Sequence, residues 1–320
     1  MMMEKEKNRE TILDIRHVSI YFAQYERGIR RRKLPVIRDL DLRVHPGEVV
    51  AVVGASGSGK SLLAHGILGI LPYNSRMEGE MFYRGEPLTK ERAEKLRGKK
   101  IALIPQGVTY LDPLMKVGEQ ICRGRKDEET VRRCREVLDR YGLGPETEGL
   151  YPFELSGGMA RRVLIASAVM DKPDLIIADE PTPGLDVGAA RRILGHFREL
   201  ARGGAGVLFI THDLGLALTI ADRVAVFYAG ETIEEALAAD FKDPDRLRHP
   251  FTKALFRAMP AHGFAPIQGS QPYPGTVSSG CPFAGQCQVC QEACVHTEHI
   301  PVRQIRGGLV RCLYPEEGNV

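Results

Sequence analysis

Three things are scarce in this chain of 320 residues. It contains no uninterrupted apolar run approaching the roughly 20 residues that span a bilayer, so no membrane-crossing helix is expected. Its first residues, Met1 to Glu10, are charged and lack the apolar centre of a secretory leader, which points to a cytosolic chain. Any membrane role must then come through a partner. Charge of one sign is scarce too. With 44 Lys and Arg against 41 Asp and Glu, the net charge of +3 is too small to argue for nucleic acid. The remaining composition, 43% apolar and 27% charged, is ordinary for a soluble globular protein. The length predicts about two domains. The seven cysteines are unevenly spread: Cys122 and Cys134 stand apart, while Cys281, Cys287, Cys290, Cys294 and Cys312 crowd the C-terminal end. In a reducing compartment such a cluster reads as a metal site before it reads as disulfides.

The most informative stretch is Gly54-Ala55-Ser56-Gly57-Ser58-Gly59-Lys60-Ser61, a phosphate-loop pattern. The apolar run from Glu48 to Val53 predicts a strand before it. The spacing of Leu62, Leu63, Ile67 and Leu68 predicts a helix over 60–71 after it. At such a turn the glycines let successive backbone N–H groups point into one hollow, and the helix N-terminus adds positive dipole. Lys60 is expected to reach the β- and γ-phosphates of a nucleotide, and the Ser61 hydroxyl to ligate Mg²⁺.

Further candidates follow along the chain. Residues 12–22 alternate as a strand, and Phe22, or Tyr21 beside it, is either a purine-stacking aromatic or an ordinary core aromatic. The basic stretch Arg27 to Lys33 predicts a solvated hairpin tip, with an anionic contact as the other reading. Val36 to Val44, Gly79 to Tyr83 and Ile101 to Pro105 read as strands. Gln106, at the end of the last, can offer its amide oxygen to Mg²⁺ or to an attacking water. Asp127 to Tyr141 reads as a helix whose stripe Val131, Cys134, Val137, Leu138 and Tyr141 is buried, which makes Cys134 a core residue. Leu155-Ser156-Gly157-Gly158-Met159 opens a helix over 160–170. Ser156 is either a plain N-cap or part of a second anion cradle. Asp174 to Glu180 lacks amphipathic alternation and predicts a central strand buried on both faces. Its tip carries Asp179, suited to the surroundings of Mg²⁺, and Glu180, suited to a general base. Gly206 to Ile210 is another strand, with Thr211-His212-Asp213 at its end, where ligands bind in parallel sheets. His212 is either structural or a γ-phosphate contact.

The ordered set GASGSGKS, Gln106, LSGGM, LIIADE, PGLD and His212 resembles the ATP-binding cassette (ABC) ATPases across residues 11–240. The resemblance implies an α/β P-loop domain with a parallel-sheet core, an antiparallel β-subdomain and a helical signature subdomain. It implies ATP and Mg²⁺ as ligands. Gly54, Ser56, Gly57, Ser58, Gly59, Lys60, Ser61 and Leu62 would form the phosphate site, with Phe22 stacking on adenine. Gln106 becomes the residue linking the nucleotide to the membrane partner, and Ser61, Gln106 and Asp179 would serve Mg²⁺. Ser156, Gly157 and Gly158 would complete the γ-phosphate site of another subunit. Asp186 belongs to the loop that communicates across the dimer, and Glu180, His212 and Gln106 to catalysis. Gly107 departs from the acidic residue that many relatives carry after the glutamine.

Residues 241–320 resemble the Cys-rich C-terminal extension of the oligopeptide, dipeptide and nickel importer ATPases, through Arg248-His249-Pro250-Phe251-Thr252, Tyr273-Pro274-Gly275 and Cys281-Pro282-Phe283. Phe251 stands where relatives usually have tyrosine. This implies a peripheral protein on the cytoplasmic face of the membrane, paired with a second ATPase subunit, identical or not. It also implies two transmembrane permease subunits, an extracellular binding protein and no nucleic acid. The expected cargo is a peptide, nickel or a metal chelate. Cys281, Cys287, Cys294 and Cys312 can hold a [4Fe–4S] cluster or Zn²⁺, with the cluster favoured by the family relationship and the loop-rich setting. Cys290 leaves the ligand set open. Two other classes stay in view, a redox-sensing regulatory ABC ATPase and a soluble nucleic-acid- or ribosome-associated cassette protein.

Overall fold

In the computed structural model, residues 10–26, 30–55, 57–273 and 279–315 are described. Ser56, Arg27 and Pro274-Gly275 therefore lie outside the described residues. Two sheets organise the chain. Strands β1 (Leu13–Glu26), β2 (Arg30–Val44), β4 (Ser75–Tyr83) and β5 (Glu86–Pro87) form an antiparallel sheet in the order β2-β1-β4-β5. The main sheet contains β3 (Val49–Gly54), β6 (Ile101–Ile104), β7 (Leu175–Asp179), β8 (Gly206–Thr211), β9 (Arg223–Tyr228), β10 (Glu231–Leu237), β11 (Val302–Ile305) and β12 (Gly308–Arg311). Its order is β11-β12-β10-β9-β3-β8-β7-β6, and β9, β3, β8, β7 and β6 run parallel.

The central strands are buried on both faces, as their unbroken apolar runs predict. Strand β7 is buried at all five positions, and alternation sends its side chains into two cores. Leu175 and Ile177, with Val50 and Val52 of β3, pack against the antiparallel sheet. Ile176 and Ala178, with Val49, Ala51 and Val53, pack against the helices. Cys134 is fully buried in this second core, with burial pushing its thiol up to about 12. It lies in the helix Glu128–Arg140, capped by the Asp127 carboxylate at Thr130.

Several expected boundaries move. The helix after the phosphate loop ends at Ile67, not Leu71, because Gly69 turns the chain at φ +65°. The helix of the LSGGM segment begins at Gly157, since Ser156 is its N-cap. The expected hairpin is present as the antiparallel β1–β2 pair, its tip outside the described residues, but its basic stretch runs into the strand. Arg30 to Lys33 belong to β2, with Arg32 opposite Gln24 and Lys33 opposite Ala23. Lys33 lies 4.3 Å over the Tyr21 ring and 3.3 Å from Glu78.

The C-terminal segment is fastened to the main sheet in three ways. The β11–β12 hairpin adds to the sheet edge through Glu234 opposite Val310 and Glu235 opposite Leu309. Phe251 and Phe283 pack on Tyr228 of β9, with ring centroids 4.4 and 5.6 Å from it. Arg248, fully buried, pairs with Glu234 at 3.2 Å and Asp240 at 3.0 Å, and donates to the carbonyls of Ile305 and Arg306.

Candidate active site

Each candidate catalytic residue sits at the C-terminal end of a parallel strand, and the strands are neighbours. In the order β3, β8, β7, β6 these ends carry Gly54, His212, Glu180 and Gln106. Helix N-termini and strand ends converge on this edge, which suits an anionic ligand.

The loop glycines are required by their surroundings. A Cβ on Gly54 would lie 2.5 Å from the Phe227 carbonyl oxygen, so the loop backbone presses directly on β9. Gly59 holds φ +97° as the N-cap of the helix Lys60–Ile67, a conformation side chains disfavour. Lys60 is buried and folds over the loop. Its Nζ donates to the carbonyls of Gly54 at 2.6 Å and Ala55 at 2.8 Å. Burial pulls its pKa down, and Glu180 and Asp179 oppose that. Leu62 packs its side chain against the apolar core, so its contribution to a ligand falls to its backbone N–H.

Asp179 is buried, and desolvation raises its pKa although a hydrogen bond with Ser61 works against this. Its Oδ1 has no hydrogen-bond partner among the described residues. A buried carboxylate with one orphaned oxygen, tied to the Ser61 hydroxyl, is the donor set a Mg²⁺ ion fits: hard oxygens, few protein ligands, and space for phosphate. Ser61 would be the direct ligand and Asp179 would orient it. D179N is expected to raise the Mg²⁺ concentration for half-maximal ATPase activity by about 10–100-fold, the usual loss when a supporting carboxylate goes. A magnesium titration of activity checks this.

Glu180 leaves the strand in a left-handed conformation, φ +47°. That strained turn is held by its N–H donating to the Ile210 carbonyl at 2.9 Å. Its buried carboxylate meets His212 Nδ1 at 2.7 Å, while Thr211 Oγ1 lies 3.5 Å from the other oxygen. The His212 ring is more than half exposed, so it faces outward with one nitrogen free for a ligand.

Gln106 is exposed, and its backbone is held by a residue that sequence reasoning missed. Arg161 lies buried in the LSGGM helix and donates to the carbonyls of Pro105, at 2.7 Å, and Gln106. Burial lowers its pKa, and Asp179 and Glu180 counter that. One guanidinium thus ties the signature helix to the glutamine segment beside the two acids. An arginine pair inside a helical run ordinarily reads as a solvated face, so no pattern pointed to Arg161. R161M leaves both carbonyls without their charged donor and is expected to lower stability by about 1.5–3 kcal/mol, read from urea unfolding.

The signature makes no hydrogen bond to its own phosphate loop: Ser156 and Gly157 are exposed, and none joins residues 156–158 to residues 54–62 among those described. The Ser156 oxygen accepts from the Met159 N–H at 3.2 Å, leaving its hydroxyl proton available to an anion. A Cβ on Gly158 would lie 3.6 Å from the Gly184 carbonyl, so signature and PGLD loop are neighbours. Asp186 caps the helix Val187–Arg202 through Ala189, and that hydrogen bond lowers its pKa. Tyr21 donates to Glu78 at 2.8 Å and carries Lys33 over its ring, which leaves partly buried Phe22 the better-placed aromatic.

At the far end of the chain, Cys281, Cys287, Cys294 and Cys312 line one small hollow, together with His249, and Cys290 does not. None of them forms a disulfide among the described residues. Burial pushes Cys281 up to about 12 and Cys312 to about 11, with the neighbouring cysteines adding to it. Among the described residues no three of these sulfurs lie mutually within 4.8 Å. That is wider than the roughly 3.8 Å between thiolates on one tetrahedral zinc. Four cysteines around one small, largely apolar hollow are a donor set that both zinc and iron–sulfur clusters use.

Comparison with known proteins agrees with this geometry. The family described as "ABC transporter" matches residues 37–183, and "Oligopeptide/dipeptide transporter, C-terminal region" matches residues 233–294. The chain is 34% identical to the oligopeptide transport ATP-binding protein AppD of Bacillus subtilis, over 96% of this chain and 98% of that one. It is 37% identical to a Brucella melitensis protein named for peptide import ATP binding, over 90% of this chain and 92% of that one. Among solved structures, the dimeric bacterial ABC transporter cassette MJ0796 superposes with a TM-score of 0.63 at 27% identity, covering 71% of this chain and 98% of that one. The same cassette in a post-hydrolysis state bound to ADP and Pi superposes equally well. With the phosphate loop, the two acids, the histidine and the signature all in place, this chain belongs to the ATP-binding cassette transporter family, as an ATPase carrying the oligopeptide/dipeptide transporter C-terminal region.

Proposed function

We propose that this chain is the ATP-hydrolysing subunit of an importer for di- or oligopeptides. It would act at the cytoplasmic face of the membrane with a second ATPase subunit, two permease subunits and an extracellular binding protein. The observation that carries the reading is the separation within one chain. The phosphate loop and Glu180 share one sheet edge, while Ser156 and Gly157 are exposed and no hydrogen bond joins residues 156–158 to the loop among the described residues. Two copies facing each other give each loop the other's signature. The relatives named for peptide import favour peptide over nickel or metal chelates as the cargo.

Each residue then has a task. Backbone N–H groups from Gly57 to Leu62 cradle phosphate, and Lys60 exchanges its carbonyl partners for phosphate oxygens. Ser61, positioned by Asp179, holds Mg²⁺, which when bound neutralises phosphate charge. The Gln106 amide reaches the same region from β6 and carries its occupancy toward the permease. Phe22 stacks on the adenine. Glu180, oriented by His212, takes the proton of the attacking water. Ser156, Gly157 and Gly158 close over the γ-phosphate of the opposite subunit, and Asp186 lies at the facing loop. Deleting the gene is expected to abolish uptake of labelled oligopeptides, with restoration by the wild-type gene and none by the E180Q variant. Unchanged peptide uptake in the deletion strain contradicts the assignment.

The cysteines carry a second part of the proposal. Cys281, Cys287, Cys294 and Cys312 would hold a [4Fe–4S] cluster that staples the C-terminal segment. Anaerobically purified protein is expected to be brown, with iron and acid-labile sulfide near four per chain. Stoichiometric zinc without iron overturns this part alone.

A further inference from the structure

The hollow lined by the four cysteines has one nitrogen-bearing side chain in its wall, His249. This residue is 1% exposed and lies at the start of the helix Pro250–Arg257. Its two ring nitrogens are in different situations. Nδ1 accepts a hydrogen bond from the Phe251 N–H at 3.0 Å, as the N-cap of that helix. Nε2 is buried with no hydrogen-bond partner among the described residues. Around the ring are Phe283, with centroids 6.1 Å apart, and the cysteine-lined hollow.

The bond at Nδ1 decides the tautomer. A nitrogen that accepts from an amide carries no proton, so the single proton of the neutral imidazole sits on Nε2. Nε2 is then a donor and cannot ligate a metal through a lone pair. A buried N–H without an acceptor costs about 1–3 kcal/mol, and such groups in native structures have a reason. Apart from the Tyr314 hydroxyl, the side-chain acceptors lining this hollow are the four cysteine sulfurs. Thiolate sulfur, and more so the sulfur of a cluster, accepts hydrogen bonds that neutral thiols accept poorly.

We propose that His249 Nε2–H donates a hydrogen bond to the sulfur of the iron–sulfur centre held by Cys281, Cys287, Cys294 and Cys312, and thereby sets its reduction potential. The inference rests on the cluster reading above and goes beyond it by assigning a residue that is no ligand. A hydrogen bond to sulfur stabilises the more negative, reduced state and raises the potential. The backbone amide of Phe251 thus fixes the tautomer that the cluster needs, and the capped helix fixes the ring, an outer-shell arrangement in the ordinary sense of metal sites.

Two substitutions separate the roles of the ring. H249N keeps an acceptor for the Phe251 N–H, but its amide stops short of the hollow. H249Q reaches the hollow with an N–H and gives up the cap. In full-length protein purified anaerobically, iron and sulfide are quantified, and the midpoint potential is then measured by dithionite titration. H249N is expected to retain iron but to be harder to reduce by about tenfold in the oxidised-to-reduced ratio, which is ~59 mV for one electron. H249Q is expected to recover part of that shift. A fully loaded H249N with the wild-type potential overturns the role of His249 and leaves the cluster standing. Wild-type protein without iron removes the cluster and this inference together. Should H249N fail to fold, pulsed EPR of the reduced wild-type centre in ¹⁵N-histidine-labelled protein gives the answer. A histidine nitrogen coupling supports the bond, and its absence overturns it.

Discussion

Replacing Glu180 with glutamine is expected to slow ATP hydrolysis by about 10²–10⁴-fold, the usual contribution of a positioned general base. The substitution keeps the shape of the side chain and removes only its basicity. Its surroundings are built for that carboxylate. It is buried, its backbone is held at φ +47°, and His212 meets Oε1 at 2.7 Å. Glutamine can still accept from His212 through its amide oxygen, so ATP binding should survive. The nucleotide then persists, and the ATP-closed dimer should accumulate. Single-turnover hydrolysis and sedimentation with Mg-ATP read the two effects separately. Near-normal turnover in E180Q would remove Glu180 as the base and leave His212 the next candidate at this strand edge.

Replacing Arg248 is expected to have the largest effect on stability, about 3–5 kcal/mol for R248A. Its side chain is 1% exposed and its partners Glu234 and Asp240 are equally buried. Removing the guanidinium leaves both carboxylates inside the protein and takes the donor from the carbonyls of Ile305 and Arg306. Burial already holds the Glu234 pKa up, with Arg248 among the groups opposing that. R248K should recover only part of the loss, because one ammonium cannot serve acceptors that the planar fork reaches together. Urea unfolding followed by far-UV circular dichroism checks the size. Proteolysis checks the location, since β11 and β12 are predicted to come loose first.

The parts legible in the sequence were those where chemistry fixes spacing. A phosphate loop needs its glycines and its lysine in order, so the spacing from Gly54 to Ser61 was enough to place a strand-to-helix turn there. The unbroken apolar run before Glu180 announced a doubly buried strand, and β7 is one. The cysteine spacing left Cys290 open as a ligand; in the structure Cys281, Cys287, Cys294 and Cys312 share a hollow that Cys290 does not line. What stayed hidden depended on distant partners. Strands β11 and β12 have four residues each, and the pairing of β12 with β10 spans some seventy positions of chain, so local alternation carries no trace of it. The buried roles of Arg161 and Arg248 left no mark in the sequence, because a buried guanidinium is recognised only by the carbonyls and carboxylates that meet it. Arg30 to Lys33 read as a loop because charge density suggested solvent. There the strand is set by backbone pairing with β1, and exposed charges such as Arg32 and Lys33 are what edge strands favour.

The central proposal is that hydrolysis requires two cassettes, the signature of one completing the phosphate loop of the other. Its most direct test is the ATPase rate per subunit across protein concentration, measured beside sedimentation of the same samples. The account predicts a rate that rises with the fraction of dimer and falls toward zero as the chain becomes monomeric. A full specific rate in a sample that sediments only as monomer would contradict it.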